Sequence, residues 1–369
     1  MNEIRNGLGS GWALGWTSVA DRVRGRDNNF NAIRVVAASL VVLSHSYALS
    51  GHGEEEPLAR TVGILDFATL AVITFFVISG FLVTRSAHVA PTLGSFVRAR
   101  FLRIWPGLVV TALLSVFVLG PIATVLSLRD FFHDSETWKY LASIPILDVG
   151  RGLPGVFIGN PMSGGVNGSL WTIQVEAWLY AVVAILLVFR ILEKPLSANL
   201  FYIGCIVGYF LFPDDVIAWI PRNEGYMTPR LVGSFLVGSM MYTNRRMVPL
   251  GPATGIALVA LAAMSIKTGF FGTLFYVALG YWVILLALHP RLYLPFLNTR
   301  SDYSYGIYVF AFPVQQTVVA IAGPRSSLFL FAVSYPLILG LAMMSWTWVE
   351  SRALRLKGRY QPVRTHPHY

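Results

Sequence analysis

The chain of 369 residues is 55% hydrophobic and 14% aromatic but only 12% charged, against roughly 25% charge in an ordinary soluble domain. Too little polar surface is available to cover such a chain in water, which excludes a soluble globular protein. The net charge of +10 is concentrated in alternate loops, the pattern of cytoplasmic segments of a membrane protein, and so argues against a nucleic-acid partner.

Residues 1–30 carry Arg5, Arg22, Arg24 and Arg26 without the apolar core and cleavage site of a signal peptide, and read as a cytoplasmic tail. Apolar windows then recur at 31–50, 67–84, 106–126, 169–189, 199–212, 230–242, 253–266, 270–288, 303–322 and 328–348. A helix needs about 20 such residues to cross the hydrocarbon, so the expected fold is all-α, a polytopic membrane protein with a bundle of about ten transmembrane helices over 31–349. Two windows, 199–212 and 230–242, are short for a straight span and call for tilt or extension. With the N-terminus inside, the inner loops hold 19 Lys or Arg and the outer loops eight, which orients both termini to the cytoplasm. The basic segment 350–369 reads as a second cytoplasmic tail in contact with anionic membrane lipids.

Ionisable side chains inside a span cost roughly 2.5 to 3.5 kcal/mol on insertion scales, so those present are informative. In the first window, Arg34 and His45 are 11 residues apart, almost three full turns, so they share a face at a separation of about 16 Å along the axis. A neutral imidazole accepts a proton from a hydroxyl near pH 7; on this span alone the histidine reads first as a packed or interhelical hydrogen-bonding residue. The second window ends ITFFVISGFLVTRSA, where Ser79-Gly80 allows close backbone approach or a break in the helix. After it, SFVRARFLRIWPGL sets Arg98, Arg100 and Arg103 on the cytoplasmic side. Arg100 and Arg103 share a helical face suited to gripping phosphates, although a positive-inside anchor needs arginines too. The longest connection, 127–168, ends in GNPMSGGVNGSLW and reads as an extracytoplasmic lid, acceptor surface or passive cover. The fourth window opens SLWTIQVEAWLYAV and carries Glu176, a carboxylate that either orients an imidazole or makes a structural interhelical bond, with Tyr180 one turn away. Cys205 has no second cysteine to pair with, which rules out an intrachain disulfide and a multi-cysteine zinc site, and no metal is expected.

Taken together, Arg-x10-His in the first span, FFVISGFL in the second, RARFLRIWP after it, SLWTIQVE in the fourth and SDYSYGIYVFAFP in the ninth resemble the membrane acyltransferase-3 family, in order and over nearly the whole chain. The resemblance implies a bacterial inner-membrane O-acyltransferase that moves an acyl group, most commonly acetyl from cytoplasmic acetyl-CoA, to a hydroxyl of an extracytoplasmic glycan or sugar. It also implies that His45 is the catalytic histidine and Arg34 the essential arginine of the first span. Arg100 and Arg103, with Arg98 beside them, are implied on the CoA side, and Glu176 as the acid of the fourth-span motif. This chain departs from the pattern at Ala311, where relatives often carry a second histidine, and in the Arg98-Ala99-Arg100 spacing. A multi-span transporter or lipid-linked glycan flippase is the competing class, weakened by the lack of a visible internal repeat.

Overall fold

The computed structural model describes residues 17–23, 28–63, 65–90, 92–148, 150–220, 227–294 and 301–357. Arg5, Arg24 and Arg26 of the expected N-terminal tail, and all of the C-terminal tail beyond Lys357, lie outside the described residues. A helix stands at each of the ten expected windows: α1 Phe30–Leu49, α2 Phe67–Val89, α3 Leu93–Leu114, α4 Trp171–Val188, α5 Pro195–Leu211, α6 Met227–Thr243, α7 Pro252–Met264, α8 Phe271–Ala287, α9 Ser304–Ala322 and α10 Ser327–Ser345. Six of the helical stretches are long and apolar enough to cross a membrane, among them Leu93–Ala123 and Ser327–Arg355. Leu196, Leu200, Phe210, Leu211, Ile185 and Val188 are exposed on the outside of the bundle, a surface suited to lipid and not to water.

Where the helices depart from the windows, local chemistry gives the reason. The third helix begins 13 residues before its window, because Thr92 and Ser95 form a reciprocal capping box that starts α3 at Leu93, and caps set helix starts independently of hydropathy. The three arginines therefore lie on the same helix as the third span. The short windows at 199–212 and 230–242 gain length at their N-terminal ends, to 17 residues each in α5 and α6.

Close backbone packing holds the middle of the bundle. A Cβ at Gly80 of α2 would sit 2.0 Å from the Phe235 carbonyl oxygen of α6, and one at Gly238 of α6 would sit 2.0 Å from that of Val77. Only glycine lets the two backbones touch in this way. Helix α2 runs unbroken through Ser79-Gly80, so the motif serves approach and not interruption. Helix α9 is the axis: 83% of its apolar window is buried against 28% for the last helix, and it packs on α1 and α10.

Two connecting segments are docked. Thr17–Ser18 (β1) pairs antiparallel with Pro249–Leu250 (β2), and Val19 and Val23 join a cluster with Phe30, Phe81, Tyr242 and Tyr281; this part of the expected tail is packed on the bundle. The long loop is fastened to α9 by Asn160, whose Nδ2 donates to the Gln316 backbone and side-chain oxygens at 2.9 and 2.7 Å, and by Asn167, whose Nδ2 donates to the Val309 carbonyl at 2.8 Å.

Candidate active site

Of the residues singled out in the sequence, Arg34, Ser79, Arg100, Arg103, Glu176 and Tyr180 line one cavity and His45 lines another. Because α1 is one continuous helix, Arg34 in its second turn and His45 near its C-terminus face the two cavities from a single element. The first cavity, of about 280 Å³, is lined by Arg34, Arg100, Arg103, Glu176, Tyr180 and Asp302 among others. Asp302 organises it. Its Oδ2 accepts from Arg34 Nη1 at 2.6 Å and from Arg103 Nη2 at 2.8 Å, while its Oδ1 accepts from the Ser304 hydroxyl and backbone N–H. The three side chains are only 11 to 19% exposed, and a carboxylate shared by two guanidinium groups offsets the cost of holding charge there.

Glu176 faces the same cavity. Its Oε1 accepts from Ser79 at 2.8 Å and from Tyr180 at 2.5 Å, so the Ser79 of the second-span motif serves to anchor this carboxylate. Arg100 lies over the Tyr180 ring at 5.5 Å and reaches Ser86 at 3.4 Å, and its Nε makes no hydrogen bond. Arg98 is exposed on another face of α3 and does not line the cavity. The cause is helical geometry: two residues turn the chain about 200°, three about 300°. Past the last span, Leu354 and Lys357 lie at the mouth. Partial desolvation, reinforced by Arg100 and Arg103, lowers the Lys357 ammonium to about 8.

The second cavity, of about 430 Å³, is lined by His45 together with Thr69, Met162, Gly168, Ser169, Trp171, Phe312 and others, with no Asp, Glu, Lys or Arg among its described walls. His45 meets the edge of Phe312 at 5.6 Å and 84°, and its Nδ1 makes no hydrogen bond. Glu176, expected beside this imidazole, lies in the other cavity. A Cβ at Gly168 would meet the Phe312 ring at 2.9 Å, which explains a glycine at the end of the long loop. Ala311 is fully buried, and its neighbour Phe312 supplies the contact to His45.

The cavities abut at Val72, Thr172 and Tyr308, which line both. Asp302, Thr172, Tyr308 and Lys357 are the residues that sequence reasoning left without a role. Asp302 and Tyr308 lie inside the SDYSYGIYVFAFP motif, and an acid at the edge of a span opposite unpaired arginines was the available signal for the first. Nothing in the sequence pointed to Lys357. Among the described residues no group of three or more His, Cys, Asp or Glu could hold a metal ion.

A family model described as an acyltransferase domain matches residues 27–349. The chain is 30% identical over 340 residues to a protein of Shigella phage Sf6 named O-acetyl transferase, covering 89% of this chain and 96% of that one. It is 28% identical over 363 residues to Nodulation protein 10 of Rhizobium leguminosarum bv. viciae, covering 90% and 95%. No solved structure matches it. The family model's match over 27–349 and the 30% identity to the phage protein along nearly the whole length of both chains show that the chain belongs to the acyltransferase-3 family.

Proposed function

We propose that the chain transfers an acyl group, most simply acetyl, from cytoplasmic acyl-CoA to a hydroxyl of an extracytoplasmic glycan or sugar in the bacterial inner membrane, with His45 as general base. The observation that carries this reading is the stacking of the two cavities along α1, with cations at one end and an unpaired imidazole at the other. Guanidinium groups are suited to the phosphates of CoA, and among the residues lining that cavity Arg34, Arg100, Arg103 and Lys357 outnumber Glu176 and Asp302. The excess of basic residues in the loops on that side supports a cytoplasmic arginine cavity. Acetyl as the acyl group is drawn from the relative named O-acetyl transferase.

In this reading the nucleotide stays on the arginine side and the pantetheine arm reaches inward toward the histidine side. His45 takes the proton of the acceptor hydroxyl as its oxygen attacks the thioester carbonyl carbon; a tetrahedral oxyanion forms, the C–S bond breaks, and the thiolate recovers a proton from the imidazolium. Glu176, on the arginine side, positions the donor arm with Ser79 and Tyr180. Purified chain given labelled acetyl-CoA and a glycan acceptor is expected to release CoA and label the glycan. Glycan moved across vesicles without consumption of acetyl-CoA would overturn the reading in favour of a transporter.

A further inference from the structure

Two of the residues that line both cavities, Tyr308 and Thr172, carry hydroxyl groups. Tyr308 Oη and Thr172 Oγ1 are 2.6 Å apart, and each lies within reach of the Ser169 carbonyl oxygen, at 2.9 and 3.1 Å. Each hydroxyl owns one hydrogen, so two protons serve three close contacts and one contact is always a lone pair facing an oxygen. Both side chains are buried, Thr172 at 6% and Tyr308 at 9% exposure. Of the three residues common to both cavities, the third, Val72, is apolar.

A thioester carried inward from the arginine cavity meets this cluster before it meets His45. Parting the two hydroxyls removes their mutual contact and frees an O–H to turn toward a new acceptor. Thr172 also belongs to the first turn of α4, whose positive dipole end favours negative charge nearby. We propose that Tyr308 and Thr172 are the partition between donor and acceptor cavities, and that once the acyl arm separates them their hydroxyls donate to the thioester carbonyl oxygen as it becomes an oxyanion. This rests on the acyl-transfer reading above. No proton is consumed: the oxyanion accepts hydrogen bonds while its C–O bond to the acceptor forms, and surrenders them when the carbonyl re-forms and the C–S bond breaks.

Steady-state kinetics and acyl-CoA binding on the full chain in lipid nanodiscs test the catalytic half. Tyr308→Phe keeps the ring, and is expected to lower kcat about 100- to 1,000-fold, the usual effect of losing one oxyanion donor, with donor affinity unchanged. Thr172→Val should lower kcat less, and Thr172→Ser should restore it. Unchanged kcat in Tyr308→Phe, or a loss confined to KM, overturns the assignment.

The partition is tested separately by thiol access. In a Cys205→Ala background, Ala48→Cys in the histidine cavity should react with a charged methanethiosulfonate added from the glycan side only; adding Tyr308→Ala should open it to reagent from the arginine side. Reaction from both sides with Tyr308 intact overturns the partition. If the unsubstituted chain consumes no acyl-CoA, the acyl-transfer reading and the oxyanion role fall together, and the labelling still decides whether the partition exists.

Discussion

The two cavities hold polar groups in opposite ways. In the arginine cavity nearly every charged group has a neighbour: Asp302 is shared by Arg34 and Arg103, and Glu176 is held by Ser79 and Tyr180. In the histidine cavity the imidazole Nδ1 has no hydrogen-bond partner, and the described walls are apolar side chains and hydroxyls with no other ionic group. The difference teaches that binding and proton transfer need different surroundings. In the reading proposed above, preorganised cations would hold a polyanion without rearrangement, and an imidazole with no fixed partner at Nδ1 would act as the base.

That division of labour can be broken at either end. The largest effect is expected for His45→Ala: about 100- to 10,000-fold loss of transfer, the range for a general base, with acyl-CoA affinity intact; donor binding that fell in parallel would erase the contrast. Next is Arg103→Ala, which removes one of the two partners of Asp302. It should weaken acyl-CoA binding, and it should lower stability by less than the about 3 to 5 kcal/mol seen when a buried charge loses its sole partner, because Arg34 still holds Asp302. Both are read from a donor titration and an unfolding curve; unchanged CoA affinity would move the phosphate site elsewhere.

A smaller and pH-dependent effect comes from Lys357. Its folded-state value is depressed to about 8, so its positive charge is present below that pH and lost above it. Donor affinity should therefore fall as pH rises from 7 to 9, and Lys357→Ala should flatten that profile. A slope that survives the substitution would assign the titration to the CoA or to another group. The smallest effect belongs to Arg98→Ala, which is expected to leave donor affinity within experimental error because the side chain faces away from the cavity. A clear loss there would mean that the cation set extends around α3.

Much of this was legible in the chain itself. Hydropathy located every helix of the bundle because lipid imposes one solution on an apolar segment, internal backbone hydrogen bonding. The shared face of Arg34 and His45 followed from the helical period, and so did the pairing of Arg100 with Arg103. What could not be read were partnerships across helices. Glu176 and Tyr180 are four apart on one helix, but the role of that pair is set by Ser79, 97 residues away. Asp302 meets Arg34 across 268 residues, a relation no local spacing encodes. The start of α3 was missed for a different reason: hydropathy fades through its arginines although the cap and the helix do not.

The crossing of α2 and α6 constrains how this molecule can move. With Gly80 against the Phe235 backbone and Gly238 against the Val77 backbone, sliding one helix along the other would drive neighbouring side chains into the partner's carbonyl groups, so translation at that point is blocked. The contact therefore acts as a pivot. Ser79 is adjacent to it and α4 is tied to Ser79 through Glu176, so α2 and that hydrogen bond form a fixed frame. The α2 and α4 side of the floor between the cavities is thereby held in place.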